Sequence, residues 1–252
     1  MDKTYDQLPG VRRSDLWLMH KTPAHFKYNI EHRPEPTKAL LFGIAAHKAI
    51  LEPEAFWDEY ATAPDVDRRT KAGKEEYAAF MEENAGKTIL SSEDTGTIEA
   101  MAEAVAAHEV ASELLNGRHE MPVVWIDPDT GERCKAKFDC VTIYNGDEYI
   151  VDYKTTDSCE DGAFERVSRK YGYKFQAGMY SEGYFQATLR QARFAFVAQE
   201  KTAPYLVRVY FCDPEYVREG YDIFRMLLGV YHECKERGIW PGYDDADLLA
   251  EG

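Results

Sequence analysis

Residues 133–156 carry the pattern that decides the fold: RCKAKFDCVTIYNGDEYIVDYKTT. The stretch 134–143 alternates charged and apolar side chains, and the stretch 148–155 is rich in β-branched and aromatic residues. Between them, Asn145-Gly146-Asp147 favours a tight turn, because asparagine and glycine tolerate positive φ. The pattern predicts two antiparallel strands joined as a hairpin.

Three charged residues stand out on this predicted hairpin: Asp139 on the first strand, and Asp152 and Lys154 on the second. Side chains two residues apart on a strand share a face, so Asp152 and Lys154 should lie side by side. Two acids and a lysine are costly to bury among apolar residues, yet a hydrolytic metal site needs such a group. A cross-strand ion pair would use the same residues, so the hairpin alone leaves both interpretations open.

Composition limits the class of protein. The 252 residues are 44% hydrophobic and 30% charged, as in soluble globular chains with a substantial core. No apolar run approaches the ~20 residues of a membrane span. The polar N-terminus does not resemble a secretory signal. Five scattered cysteines without a C-x-x-C pair argue against a disulfide framework or a zinc site, and we expect a cytoplasmic protein.

The charge balance is unusual for a protein that binds nucleic acid. The net charge is −15, whereas DNA-binding domains tend to be basic. Local basic runs nevertheless occur at 68–74 and 166–174. Such runs can be solvated helix faces, or they can follow a DNA backbone. Arg68 and Arg69 are the DNA-binding candidates of the first run.

The rest of the chain should complete a sheet around the hairpin in a single domain, 1–252. Residues 1–116 are predicted to be mostly helical, and 117–252 to form the sheet core with a closing helix. The order of elements indicates an α/β fold, with a mixed central sheet flanked by helices and an N-terminal helical elaboration. The further core elements are three strands and the closing helix: 120–127, 194–198, 205–211 and 214–237.

Three features of the N-terminal helices matter for function. Ser14 is expected to cap a short helix. Residues 38–51 are expected to form a mostly buried helix, and 92–115 a single amphipathic one. His47 is the titratable residue in the middle of the 38–51 helix. A lone histidine there is more often a core residue, and it becomes a ligand candidate only if its helix lies against the hairpin.

Other polar residues flank the hairpin. Glu120 precedes a predicted strand and is either a third carboxylate of a site or a loop acid. Gln176 and Tyr180 are four residues apart on the following helix and therefore share a face. That face is either functional or the ordinary polar edge of an amphipathic helix.

In combination, these residues resemble the PD-(D/E)XK nuclease superfamily. Within it, the chain is similar to the nuclease domain of RecE-type exonucleases (exonuclease VIII) and of related phage recombination exonucleases. The resemblance spans nearly the whole chain. It rests, in order, on a helix with His47, Glu120, Asp139, Asp152-Tyr153-Lys154 and Gln176-x-x-x-Tyr180. Segments that match beside these are 14–28, 41–53, 68–74, 125–131 and Trp240-Pro241.

The resemblance implies a metal site. His47, Asp139 and Asp152 would bind the metal together with the main-chain carbonyl of Tyr153. One or two Mg²⁺ ions are expected, with Mn²⁺ as a substitute. Phe138 replaces the proline that precedes the first aspartate in the family pattern. The four-cysteine iron–sulfur arrangement of some relatives is missing, so no cluster is expected.

The resemblance also implies roles for the remaining candidates. Lys154 would be the catalytic lysine, and Glu120 would lie at or beside the catalytic site. Gln176 and Tyr180 would help to hold the DNA end. Ser14 would contribute to a pocket for the 5′-phosphate.

The function implied is that of a Mg²⁺-dependent exodeoxyribonuclease. Such an enzyme degrades one strand of linear double-stranded DNA from 5′ to 3′ and leaves a 3′ overhang for a single-strand annealing protein. Its expected partners are DNA ends, that annealing protein and further copies of itself in a ring, without a membrane. The alternatives are another PD-(D/E)XK endonuclease or repair nuclease, and a non-catalytic DNA-binding or assembly subunit.

Overall fold

The structure is a computed structural model that describes residues 3–244. Its centre is a six-stranded sheet, and two further strands form a small parallel sheet in the N-terminal part. The strands are β1 (Val11–Arg12), β2 (Tyr60–Thr62), β3 (Thr88–Leu90), β4 (Arg118–Ile126), β5 (Arg133–Tyr144), β6 (Asp147–Thr156), β7 (Arg193–Glu200) and β8 (Val207–Cys212). The helices are α1 (Lys3–Gln7), α2 (Arg13–Leu16), α3 (Pro23–Glu31), α4 (Lys38–Leu51), α5 (Pro53–Glu59), α6 (Lys71–Glu83), α7 (Ser92–Ala107), α8 (Glu109–Leu114), α9 (Asp161–Tyr171), α10 (Tyr173–Thr188) and α11 (Pro214–Arg237).

The predicted hairpin is present as β5 and β6. Asn145 and Gly146 have φ values of 51° and 84°, the left-handed conformations that a two-residue turn requires. Antiparallel pairing runs from the turn to the pair formed by Cys140 and Val151, and it stops there. Beyond that pair the two strands part, and the short β1 pairs with the start of β5 instead. The hairpin is therefore closed at its turn and open at its other end.

The central sheet is mixed. β4 pairs with β5 and β8 with β7 in antiparallel fashion, whereas β6 and β7 run parallel. Helices α10 and α11 pack on one face, and α4, α7 and α8 lie on the other. The predicted fold class, a mixed sheet flanked by helices, is confirmed. Within the described residues 3–244, no helix combines the length and apolar character needed to cross a membrane.

The alternation of side chains along β5 is interrupted at Asp139. Phe138 and Val141 both pack in the core beneath α10 and α11. Cys140, which lies between them, packs in the core on the opposite face. Regular alternation would place Phe138 and Cys140 on one face, so the strand changes phase between them. The interruption coincides with the point where β5 and β6 part.

Two glycines bring α10 and α11 into backbone contact. A Cβ atom added at Gly178 would lie 2.0 Å from the backbone nitrogen of Tyr221. One added at Gly220 would lie 1.9 Å from the backbone oxygen of Lys174. A side chain at either position would force the helices apart. This crossing fixes α10, the helix that carries Gln176 and Tyr180, against the sheet.

Three predictions about the helices were wrong in detail. Ser14 does not cap a helix, because α2 begins after Arg12 and includes Ser14. The 92–115 helix is broken at His108, whose extended backbone ends α7 and whose side chain caps α8. The 38–51 helix has the predicted bounds but is not mostly buried, since Leu40 and Leu41 are 51% and 45% exposed. The exposed turn of α4 forms part of a cleft wall.

Candidate active site and metal centre

The open end of the hairpin lies in a cleft of about 1100 Å³. His47 from α4, Glu120 from β4 and Asp139 from β5 line this cleft. One imidazole nitrogen and one oxygen of each carboxylate lie within 4.8 Å of one another. The closest described approach between two of them, 3.6 Å, joins His47 Nδ1 and Asp139 Oδ2. The fold thus gathers three potential ligands from three elements that are distant in sequence.

Tyr153 holds two of these ligands in place. Its backbone N–H donates a hydrogen bond to Asp139 Oδ2 at 2.9 Å, so a carboxylate oxygen replaces a strand carbonyl where the ladder opens. The imidazole of His47 hydrogen-bonds the Tyr153 backbone. The Tyr153 ring meets that imidazole edge-on, with 5.0 Å between ring centroids. Its hydroxyl donates to Gln199 Oε1 at 2.5 Å, which fixes the ring in the core.

Glu120 reaches the cluster through an unusual backbone. Its φ is 51°, a left-handed conformation that is rare for a residue other than glycine. Such a conformation costs roughly 1–3 kcal/mol and is concentrated at functional sites. Glu120 lies between the pairs that β4 makes with Phe138 and Cys140 of β5, opposite Asp139. Its carboxylate also forms an ion pair with Lys137.

Asp152 lies beside this cluster and is almost completely buried, with 1% of its surface exposed. Lys154 Nζ forms an ion pair with its Oδ2, as side chains on one strand face should. Gln176 Nε2 on α10 donates a hydrogen bond to Oδ1. Oδ2 has no partner in hydrogen-bonding geometry, and neither has Gln176 Oε1. The polar groups around Asp152 are therefore incompletely satisfied.

Burial dominates the electrostatics of the site. It raises the pKa of Asp139 to about 6, against the opposing charge of Lys154. It raises the pKa of Asp152 to about 6 as well, and the neighbouring charge of Asp139 adds to this effect. Burial lowers the pKa of His47 to about 4, so its imidazole is neutral at pH 7 and offers a lone pair. The site keeps two carboxylates in surroundings that oppose their charge.

The donor set fits a hard divalent cation. Carboxylate and backbone oxygens suit Mg²⁺ and Mn²⁺, and a neutral imidazole also accepts Mn²⁺. A cation would offset the crowded negative charge and would occupy oxygen lone pairs that the protein leaves unsatisfied. Within residues 3–244, no other group of three such side chains is close enough to hold an ion. The predicted ligands His47 and Asp139 belong to this group, whereas Asp152 lies beside it.

Comparison with known families decides the assignment. Residues 13–251 match the PDDEXK-like domain of unknown function (DUF3799). The chain belongs to this family. The predicted membership of the PD-(D/E)XK superfamily is thereby confirmed.

One solved structure shares the overall fold of this chain. A crystal structure from Eubacterium rectale, of a protein provisionally named an exonuclease, aligns with a TM-score of 0.61 and 12% identity over 96% of this chain and 88% of that one. This similarity is one of fold. The crystal structure of SSO0001 aligns with a TM-score of 0.31 and 17% identity over 72% of this chain and 84% of that one, too weakly to support an argument. A search of the curated proteins finds no match.

In this PDDEXK-like domain, Gln176 and Tyr180 face the sheet. Gln176 is 3% exposed, and its amide contacts Asp152. The Tyr180 ring meets Phe138 edge-on, with 5.5 Å between centroids. Burial raises the pKa of the Tyr180 phenol well above its ordinary value. The pair therefore supports the acids from behind and does not form an open surface.

Three other DNA-binding candidates do not line the cleft. Ser14 is exposed on α2. The guanidinium of Arg68 lies 4.1 Å from the centroid of the Tyr77 ring. Arg69 pairs with Asp67 at 3.0 Å. Arg68 and Arg69 therefore have local partners, and none of the three residues belongs to the acid cluster.

The sequence analysis missed several residues of the cleft wall. Arg13 lines the cleft, donates a hydrogen bond to the backbone oxygen of Tyr171, and has its guanidinium 6.0 Å from the centroid of the Tyr173 ring. Lys137 lines it too and pairs with Glu120. A usable signal for the tyrosines was the Tyr-Gly-Tyr tripeptide at the end of a basic run. No comparable signal distinguished Arg13 or Lys137.

Proposed function

We propose that this PDDEXK-like protein is a divalent-metal-dependent deoxyribonuclease. The observation that carries the proposal is the cluster of His47, Glu120 and Asp139 at the open end of a hairpin whose next residues are Asp152 and Lys154. Buried, incompletely satisfied acids beside a lysine are costly, and a structural role does not require them. Metal-dependent hydrolysis of a phosphodiester uses acids and a lysine arranged in this way.

Each residue has a role in this proposal. Asp139, Asp152 and His47, with the main-chain carbonyl of Tyr153, hold one or two Mg²⁺ ions, and Mn²⁺ can substitute. A bound metal ion supplies neutralisation of phosphate charge and a lower pKa for coordinated water. Lys154, the catalytic lysine, presents a positive charge beside Asp152, where it stabilises charge that develops on the phosphate.

Two further residues support this arrangement. Glu120, at the edge of the cluster, holds Lys137 in the cleft and orients water. Gln176 donates a hydrogen bond to Asp152 and fixes the orientation of that carboxylate beside the cluster.

The finer proposal is an exonuclease that degrades the 5′ strand of linear double-stranded DNA and leaves a 3′ overhang for a single-strand annealing protein. Resemblance to RecE-type exonucleases supports it. A ring-shaped homo-oligomer in the cytoplasm would reconcile DNA binding with a net charge of −15, because a basic bore can coexist with an acidic exterior. A monomeric mass in solution at working concentration would remove the ring from the proposal.

The test is digestion of 5′-phosphorylated linear duplex with Mg²⁺, with and without a chelator. Labels at the 5′ end, labels at the 3′ end and closed circular DNA are compared in parallel. We expect early release of the 5′ label, late release of the 3′ label, intact circles and no reaction with chelator. Cutting of circles would replace the exonuclease by an endonuclease. Absence of hydrolysis on all substrates would leave a non-catalytic DNA-binding or assembly subunit.

A further inference from the structure

Two tyrosines extend the cleft from the reactive groups to its rim. Tyr171 and Tyr173 both line the cleft that holds the acid cluster. Tyr171 is 48% exposed and Tyr173 only 6%. Their rings are nearly parallel, with 6.3 Å between centroids and 23° between planes. Lys154 Nζ lies 5.3 Å from the centroid of the Tyr173 ring. An aromatic path therefore leads from solvent to the catalytic lysine.

The turn that carries these rings is held rigidly. Gly172 separates the two tyrosines and has a φ of 67°, which ends α9 and starts α10. A Cβ atom there would lie 2.5 Å from the Trp17 ring, so tryptophan packs directly on the turn. Trp17 Nε1 donates to the backbone oxygen of Lys170 at 3.3 Å, and Arg13 donates to that of Tyr171. An exposed ring on a fixed backbone loses little entropy when it binds a flat ligand.

The chemistry around the exposed ring matches a nucleotide strand. Lys170 Nζ lies 5.1 Å from the centroid of the Tyr171 ring, and the Arg13 guanidinium lines the same cleft. Lys170 is exposed on a flexible side chain, so it can move off the ring to meet a phosphate. An aromatic face flanked by cations is how proteins bind single strands without sequence preference.

We propose that Tyr171, backed by Tyr173, is a nucleobase-stacking subsite for an unpaired base of the strand that enters the cleft. The proposal rests on the proposed nuclease function and names the form of DNA that the site takes. Bases inside a duplex have both faces covered by their neighbours, so stacking on Tyr171 requires a frayed end or a single strand. The protein would thus bind DNA through a melted end.

The test measures binding in the presence of a chelator, so that hydrolysis plays no part. A short oligothymidylate and an abasic oligomer of the same length and charge are titrated into the wild type and into Tyr171→Phe, Tyr171→Ala and Tyr28→Ala. Tyr28 is the matched control, because it is 63% exposed and stacks on His32 but does not line the cleft. Far-ultraviolet circular dichroism checks that each variant is folded.

We expect Tyr171→Ala to weaken binding of oligothymidylate by about tenfold, whereas Tyr171→Phe and Tyr28→Ala stay within about twofold of the wild type. The abasic oligomer should bind the wild type and Tyr171→Ala equally, because no base is left to stack. Equal losses on both oligomers would overturn the subsite, as would an unchanged affinity of Tyr171→Ala. A wild type that binds neither these oligomers nor linear duplex would overturn the nuclease proposal as well, whereas selective loss of the Tyr171 effect leaves that proposal standing.

Discussion

Two groups of buried or partly buried acids lie at or near the two ends of the pairing between β4 and β5, and their pKa values shift in opposite directions. Asp127 and Glu132 flank the turn that precedes the strand and are 0% and 5% exposed. Asp139 lies further along the strand with Asp152 opposite, where the hairpin opens. The first pair has depressed pKa values, whereas the second pair has raised ones. Burial alone therefore does not determine whether an acid is stabilised as a charge.

The balance between burial and the contacts that favour the charged carboxylate explains the difference. Burial opposes the charge of Asp127, but hydrogen bonds from Thr130 and the ion pair with Arg225 outweigh it and hold its pKa below the ordinary value. Burial likewise opposes the charge of Glu132. Contacts with Lys235 at 2.7 Å and His232 at 3.0 Å outweigh this effect and lower the pKa of Glu132. These acids are satisfied and act as structural links between the β4–β5 turn and α11.

At the open hairpin, burial outweighs the contacts that favour the charged carboxylates. Asp139 accepts the Tyr153 N–H, and Asp152 accepts the amide of Gln176. Lys154 forms an ion pair with Asp152, and its charge also opposes the rise in the pKa of Asp139. Acids on neighbouring segments of the sheet thus differ in the way their charge is stabilised. Asp127 and Glu132 link elements of the fold, whereas Asp139 and Asp152 are the proposed metal ligands.

The largest effect is expected when an unsatisfied acid is neutralised. Asp152→Asn should reduce DNA hydrolysis on the order of 10³-fold, about 4 kcal/mol of transition-state stabilisation. Its free energy of unfolding in chelator should fall by less than that of Asp127→Asn, because removal of a charge that burial disfavours offsets the loss of the ion pair with Lys154. Digestion of linear duplex and urea unfolding give the two readouts. Unchanged hydrolysis would show that the site is wrongly assigned.

The reverse result is expected for a satisfied acid. Asp127→Asn should lower the free energy of unfolding by about 3 kcal/mol, since it leaves Arg225 without its buried partner. Hydrolysis at a temperature where the variant is folded should equal that of the wild type. If Asp127→Asn lost activity in the folded state, the separation between the two groups of acids would fail.

The helix crossing behind the site offers a matched pair of glycines. Gly178→Ala should cost about 2 kcal/mol of stability and reduce hydrolysis, because its Cβ would push α10, with Gln176, away from Asp152. Gly229→Ala on α11 meets nothing within 4 Å and should stabilise by about 0.5–1 kcal/mol with activity intact. Urea unfolding and digestion rates test both variants. Equal behaviour of the two would show that the crossing does not position α10.

The smallest effect concerns pH. The pKa of Asp127 is lower in the folded than in the unfolded state, so the unfolded chain takes up protons first as pH falls. The charged Asp127 contributes fully to the free energy of unfolding above about pH 4. This contribution is lost as the pH falls through the pKa that Asp127 has in the folded state. Urea unfolding at a series of pH values should therefore show that the free energy of unfolding falls less steeply with acidification for Asp127→Asn than for the wild type. Parallel profiles would contradict the assigned electrostatics.

Much of the fold could be predicted from local pattern. The Asn145-Gly146 turn, the bounds of the 38–51 helix and those of the 214–237 helix follow from turn chemistry and periodicity, and the structure has them. The pairing of Asp152 with Lys154 follows from strand alternation. Less was predictable where tertiary contacts override local preference. The break at His108 and the short parallel pair of β2 and β3 are of this kind.

The parts of the site that the sequence did not predict also depend on tertiary contacts. No local rule predicts a left-handed Glu120 within a strand, because its conformation is imposed where β4 faces the phase change at Asp139. Arg13 and Tyr171 are 158 residues apart in the chain, and no local pattern in either segment predicts their contact. Family resemblance identified the acids and the lysine, whereas the residues of the cleft wall could be identified only from the three-dimensional structure.

The most direct test of the account is calorimetric titration of Mg²⁺ and Mn²⁺ into the wild type, Asp139→Asn and Asp127→Asn without DNA. The account predicts that the wild type and Asp127→Asn bind one or two ions with equal affinity, and that Asp139→Asn binds at least about tenfold more weakly. Equal binding by Asp139→Asn and the wild type would contradict the claim that the acids at the open end of the hairpin form a metal site.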